Sequence, residues 1–178
     1  MKTFSMIFAI IATFALCGCV QQQPKIIQLQ STLTEGDLKH FEGIGKNTVR
    51  VNAFLRKADG SVVTCAGSES RLTPVTAYAT ERMQSLYGNT SHGFREINQQ
   101  QVLFTPELSS YRSSEKKSMC NSQGIAIFEN IPDGDYYATT IIYWFVPFNA
   151  HYTDKQGGFL MHRVSVAGGQ LKEVILSY

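Results

Sequence analysis

Four cysteines, four histidines and a short serine-rich stretch are the residues of this 178-residue chain whose types could do chemistry. Cys17 and Cys19 close an apolar N-terminal segment, whereas Cys65 and Cys120 stand alone in the body of the sequence. Neither has a partner at CxxC spacing, and the histidine nearest to Cys65 in sequence is His40. Two readings stay open: one disulfide formed in an oxidising compartment, or free thiols serving as nucleophile or metal ligand. A Cys65–Cys120 disulfide would close a loop of about 56 residues and contribute roughly 4 kcal/mol in the chain-entropy account. His40, His92, His151 and His162 show neither HxH nor HExxH spacing. His151 and His162 flank a loop between two long β segments, where a surface pair is the plainer reading and a metal site the sharper one. Ser109, Ser110, Ser113 and Ser114 lie outside any G-x-S-x-G elbow. Asp133 and Asp135 flank Gly134, and turn chemistry accounts for both. Glu81-Arg82 reads as the solvated face of a short helix. No catalytic residue, metal ligand or cofactor is assigned, and the chain is expected not to be an enzyme.

The N-terminus says where the protein resides. Lys2 precedes an apolar run from Phe4 to Leu16, closed by Leu16-Cys17-Gly18-Cys19. About 13 apolar residues fall short of the ~20 that span a bilayer, which suits the core of an export signal. The tetrapeptide resembles a bacterial lipobox, in which a small residue precedes a cysteine that is acylated and becomes the new N-terminus. That resemblance implies a signal peptide over 1–18, lipidation at Cys19 and attachment to the membrane through the N-terminal lipid. A secreted protein cut after Gly18, or a helix retained in the membrane, are the alternatives. The polar Gln21-Gln22-Gln23-Pro24 that follows carries no stop-transfer charge and favours the lipid anchor. Val20 stands where Asp would favour inner-membrane retention, so the resemblance implies an outer-membrane lipoprotein facing the periplasm.

The leader leaves about 160 residues, enough for one domain with a substantial core. Sixteen Lys and Arg against fourteen Asp and Glu give a net charge of +2, and Lys2 leaves with the leader. With no basic stripe and no aromatic–basic interleaving, nucleic acid is not expected as a partner. Residues 19–45 read as the lipidated cysteine and a polar tether, with a turn at Thr34-Glu35-Gly36-Asp37; residues 46–178 read as the folded domain.

Val49, Val51, Ala53 and Leu55 alternate with Arg50, Asn52, Phe54 and Arg56, predicting a strand with one buried face, then a hairpin at Asp59-Gly60. Leu72, Pro74, Thr76 and Tyr78 predict a second alternating strand, confined by Pro74 to an edge or bulge. Thr80 to Tyr87 predicts the one short helix, capped by Thr80 and stopped by Gly88. Asn89 to Ser118 is polar and reads as a long surface excursion with one strand at Gln101–Thr105; it and the Asn149–Gly158 loop are the candidate contact surfaces. Tyr136 to Phe145 predicts a central core strand, with Tyr143 and Phe145 on one face and Trp144 on the other. Phe159–Val166 and Leu171–Leu176 predict a last hairpin around Ala167-Gly168-Gly169-Gln170.

The run Cys120-Asn121-Ser122-Gln123-Gly124-Ile125-Ala126-Ile127-Phe128-Glu129-Asn130-Ile131-Pro132-Asp133-Gly134-Asp135-Tyr136-Tyr137 resembles the carboxypeptidase regulatory-like, or transthyretin-like, domain. There a D/S-x-x-G-x-F-x-F-x-x-L/I-P-x-G-x-Y pattern marks two adjacent strands and their turn. The resemblance implies an all-β, seven-stranded sandwich with one short helix, serving as a structural, adhesive or partner-binding appendage. The hydroxyisourate-opening hydrolases of this fold end in Tyr-Arg-Gly-Ser, whereas this chain ends Ile175-Leu176-Ser177-Tyr178. The expectation is a membrane-anchored, non-catalytic binding or assembly module with an envelope protein partner, accessory to a secretion, pilus or cell-wall system. A periplasmic enzyme or metal-binding protein using His or Cys side chains is the alternative.

Overall fold

The computed structural model describes residues 23–149 and 152–178; Cys19 and the leader, and with them the signal-peptide and lipidation expectations, lie outside the described residues, as does His151. In chain order the elements are β1 (Lys25–Gln28), α1 (Glu35–Lys39), β2 (Asn47–Arg56), β3 (Val62–Thr64), β4 (Glu69–Pro74), α2 (Ala77–Tyr87) and β5 (His92–Glu96). They continue with β6 (Val102–Thr105), α3 (Ser109–Ser114), β7 (Lys116–Met119), β8 (Ile125–Ile131), β9 (Gly134–Pro147), β10 (Thr153–Val166) and β11 (Leu171–Leu176).

Alternation of apolar and polar residues makes two of these strands two-faced, and pairing stacks their apolar faces. β2 buries Val49, Val51, Ala53 and Leu55, and is bordered by β8 and β3 antiparallel and by β11 parallel. The opposing sheet runs β5-β10-β9-β4-β7. Its inner face supplies Leu72, Tyr136, Ala138, Ile142, Leu160, Val164 and Val166 to the shared core. The result is an all-β sandwich. Cys65 and Cys120 are bonded inside it, with Cα atoms 5.7 Å apart and a sequence separation of 55, so the free-thiol reading does not hold.

Asn47 locks the end of this core. Fully buried at the start of β2, its Nδ2 donates to the Ile131 carbonyl (2.9 Å) and to Asp133 Oδ1 (2.8 Å). Its Oδ1 accepts from the Gly169 and Gln170 amides at 2.9 and 3.0 Å. One side chain thereby ties the β8–β9 turn to the β10–β11 turn. Gly134 needs its freedom here: φ is 145°, and an added Cβ would lie 2.7 Å from the Phe41 ring.

Several expectations are corrected. The described residues hold eleven strands and three helices, against the seven strands and one helix expected. Residues 25–45, read as tether, are largely folded: β1 pairs parallel with β6, and Thr34 caps α1 in a reciprocal box with Asp37. α2 begins earlier than expected because Thr76, not Thr80, accepts the capping hydrogen bond from Ala79; Gly88 ends it with φ 67°. β4 lies between β9 and β7, and Pro74 is accommodated because β7 covers only Glu69–Leu72. β10 and β11 do not form a hairpin: β10 pairs with β9, whereas β11 crosses the sandwich to lie parallel to β2. β8 and β9 likewise belong to opposite sheets.

Candidate functional site

The outer face of the long sheet cannot stay bare, because Tyr137 and Met161 project from it alongside Thr73, Thr139, Ile141 and Phe159. A second apolar cluster covers part of it: Leu29, Tyr78, Ala79, Met83, Phe104 and Tyr111 pack with Tyr137 and Met161. These residues come from the segment just after β1 and from α2, β6 and α3, so the supposed tether and the supposed excursion together build one layer. Between that layer and the sheet lies a cleft of about 700 Å³. Ile26, Val102, Leu103, Met83, Ile141 and Phe159 supply apolar wall, and Thr73, Thr105 and Thr139 line it beside them.

An alternating chain of charges runs along the cleft wall. Arg82 Nη1 donates to Glu107 (2.7 Å), Glu107 accepts from Arg112 (2.9 Å), and Arg112 lies 3.9 Å from Glu115. Glu115 meets Arg71 at 3.3 Å, Arg71 donates to Glu69 at 2.7 Å, and Lys117 closes the series 3.7 Å from Glu69. Arg82 is its most buried cation, 5% exposed. Its guanidinium carbon stands 4.2 Å from the Phe104 ring centre, 4.5 Å from Tyr111 and 5.6 Å from Tyr78. Arg82 Nη1 also donates to the Tyr78 hydroxyl at 3.2 Å, while its Nε is buried without a hydrogen-bond partner among the described residues.

Two carboxylates of the wall respond oppositely. At Glu107 burial raises the pKa, but hydrogen bonds from Arg82 and Arg112 and their charges hold it below the usual range. At Glu115 burial raises it and prevails over Arg71, Arg112 and Lys117, so the group stays above that range. Burial pushes the Tyr111 hydroxyl up to about 12. Burial pulls Arg82 down, yet its bonds to Glu107 and Tyr78 and the charges of Tyr111 and Glu107 together outweigh this, and its pKa is raised. The wall therefore presents guanidinium donors beside carboxylate acceptors.

The residues expected to do chemistry are dispersed. His162 is the register partner of His92 across β10 and β5; burial and the His92 charge lower its pKa. His40 packs edge-on against Phe41. Among the described residues no group of three His, Cys, Asp or Glu side chains could hold a metal ion, and no helix is long and apolar enough to cross a membrane. Asp135, expected to serve a turn, lies instead within β9 and pairs across to β10, with Arg163 (2.6 Å) and Ser165. Glu81-Arg82 is not a solvated face: Glu81 accepts from the Gln30 and Ser31 amides (2.9 and 2.7 Å), tying the β1 segment to α2, while Arg82 points inward. The Tyr78–Arg82 spacing of one helical turn was the available signal for this inward face.

No protein-family model matches the chain, and no curated protein sequence matches it. Among solved structures, a crystal structure of a proposed carbohydrate binding protein from Pseudomonas aeruginosa is similar at 19% identity with a TM-score of 0.68. The match covers 83% of this chain and 99% of that one, so the two proteins share a fold over most of their lengths.

Proposed function

We propose that this protein is a lipid-anchored envelope module that binds a carbohydrate in the outer-face cleft without transforming it. The observation that carries the reading is the Arg82–Glu107–Arg112–Glu115–Arg71 series along a cleft of about 700 Å³. Sugar hydroxyls donate and accept together, and paired guanidinium and carboxylate groups answer both demands at neighbouring points. Ile26, Leu103, Ile141 and Phe159 offer apolar surface to the C–H faces of a sugar ring. The carbohydrate binding proposed for the Pseudomonas aeruginosa neighbour points the same way.

Anchoring rests on Leu16-Cys17-Gly18-Cys19, and the buried disulfide fits an oxidising envelope compartment. The scaffold is read as transthyretin-like on the Gly124–Tyr137 run, in which Gly124 and Gly134 occupy turns with φ of 78° and 145°. Of the settings open to such a module, a carbohydrate ligand favours the cell wall over a secretion or pilus apparatus.

The test is titration of amide NMR spectra with neutral cell-wall oligosaccharides, followed by calorimetry on Arg112→Ala and Thr139→Val. Arg112 is half exposed, so its loss should leave the fold intact. Shifts clustered on β4, α3 and the centre of β9, with affinity reduced at least tenfold in Arg112→Ala, are expected. Saturable binding that maps elsewhere, or that Arg112→Ala leaves unchanged, would sink the reading.

A further inference from the structure

β9 and β10 pair along their whole length, but their neighbours do not keep up. β4 covers β9 only over Tyr136–Thr140, and β5 covers β10 only over Gly158–His162. Beyond the Ile142–Gly158 pair, five further pairs continue to Pro147–Thr153 as a two-stranded ribbon. At about 3.4 Å per residue it is roughly 17 Å long, its Trp144 side still packed on the sandwich. Its side chains are unusual for a surface arm: Tyr143 is 42% exposed, Phe145 60%, Phe148 79% and Tyr152 69%. Tyr143 and Phe145 meet edge-on at 5.8 Å, and Lys155 Nζ lies 3.9 Å from the centre of the Tyr143 ring. Trp144 faces the other way, half-buried against the core.

The chain enters the fold at the root of this ribbon. The Gln23 carbonyl accepts from Gln100 Nε2 at 2.7 Å, and the Lys25 amide donates to the Gln101 carbonyl at 2.7 Å. A few residues earlier, the Ile97 amide donates to the Gly157 carbonyl at 2.9 Å. β5 runs toward this end of the sheet and β1 starts from it. Cys19 is four residues before Gln23, and four residues of extended chain span at most about 14 Å. A lipid on Cys19 would thus hold Gln23, which enters the fold at the ribbon's end of the sheet, within about 14 Å of a bilayer surface, a distance comparable to the ribbon's length.

We propose that the aromatic ribbon is a second membrane contact, lying in the headgroup region of the bilayer that holds the Cys19 acyl chains. This rests on the lipid-anchor reading above. Tyrosine and phenylalanine rings suit the interface between headgroups and acyl chains, and the Lys155 stem lets its ammonium stay in water. Asp154 and Lys155 offset each other, so contact needs no anionic lipid. Depth is limited by the ribbon's outer edges, whose backbone groups have no strand beside them and must stay hydrated. Two attachments would fix the orientation of the cleft over the membrane.

Trp144 is the chain's single tryptophan and reports from within the ribbon. The full-length protein, purified from bacterial membranes and weighed intact to score acylation, is reconstituted into phosphatidylethanolamine–phosphatidylcholine vesicles carrying acyl chains brominated near the headgroup. Trp144 fluorescence is expected to fall at least twofold relative to unbrominated vesicles. Phe145→Ser/Phe148→Ser should abolish most of that quenching while the protein still floats with the vesicles. Unquenched Trp144 in acylated, vesicle-bound protein would overturn the ribbon contact and leave the anchor standing. So would protection of Trp144 by self-association that the double variant disrupts, which would make a second copy the occupant. A mass without acyl chains would remove the anchor instead. Flotation of that unacylated protein would then sustain the ribbon contact if the double variant abolishes it, and its absence would overturn both.

Discussion

Replacing Asn47 by Ala removes four hydrogen bonds and leaves three backbone groups behind: the Ile131 carbonyl and the Gly169 and Gln170 amides. Ile131 is buried, so its carbonyl bears close to the full penalty of a lost partner, roughly 1–3 kcal/mol. Gly169 and Gln170 lie in an exposed turn where water can reach them, so about 0.5 kcal/mol each is the better figure. The sum is about 3 kcal/mol, which for a domain of this size lowers Tm by roughly 6–12 °C. Urea and thermal denaturation with the disulfide intact measure it, and the urea m-value should not change. Asn47→Asp sharpens the test, because it sets a second carboxylate at the 2.8 Å contact with Asp133. A carboxyl there has its folded pKa raised, so its charge penalty is absent below the unfolded value near 3.9 and grows as pH rises through the folded value. The Asp variant should therefore be worse than the Ala variant at pH 7 and recover toward it at pH 4. A loss under about 0.5 kcal/mol for Asn47→Ala, or a pH-independent deficit for Asn47→Asp, would refute the staple.

Reducing the Cys65–Cys120 bond, which closes a loop with a sequence separation of 55, should cost up to about 4 kcal/mol, read as a lower urea midpoint with dithiothreitol. Asp135, held low by Ser165 and Arg163, adds stability that is present above the unfolded carboxylate pKa and lost as pH falls through the folded one. The deficit of Asp135→Asn, small because both partners are partly exposed, should shrink in thermal scans as pH falls below the usual carboxylate range. Glu107→Gln and Glu115→Gln should diverge at pH 7, because one folded pKa is lowered and the other raised. The first should lose stability, by about 1 kcal/mol or less at this half-exposed site, and the second should lose none; equal losses in chemical denaturation would contradict the assignment.

Elements whose signal is contained in one window were legible in the sequence. The Val49–Leu55 alternation, the aromatic β9 run and Gly88 as a helix stop each act through neighbours a few residues away. The Cys65–Cys120 disulfide was legible from composition and compartment alone. What failed was decided at long range. Ala167-Gly168-Gly169-Gln170 has hairpin composition, but Asn47, more than 120 residues earlier, captures its amides and sends β11 across the sandwich. Thr76 and Thr80 both suit a helix cap; the Thr80 hydroxyl instead lies 3.1 Å from the Tyr137 hydroxyl, a partner far along the chain. Ile26, Ile27 and Leu29 looked too few for a core, and alone they are; Ile26 stays exposed, and Ile27 and Leu29 need partners. They fold because α2, β6, α3 and the outer sheet face each contribute one to a few residues to the same cluster.

That second cluster has a property the first lacks. The inter-sheet core is nearly all apolar, the economical way to stabilise a sandwich. The outer layer instead places Arg82 and Glu115 where side-chain exposure is only about 5%. A buried ion pair is weak evidence for stability, since apolar residues of similar volume often serve as well or better. Glu115 makes the point within this molecule: four cations lower its pKa, and burial still prevails. An ionised Glu115 is thus less favourable in the folded protein than in the unfolded chain, and selection for stability alone would not keep it there. Local conflict with stability belongs where a site must present charge to something outside the chain, and here it coincides with the wall of the cleft. Polar sequence that reads as loop and a cluster too scattered to show periodicity are therefore one fact: the sandwich is the scaffold, and the layer laid on its outer face holds the charged wall of the proposed binding cleft.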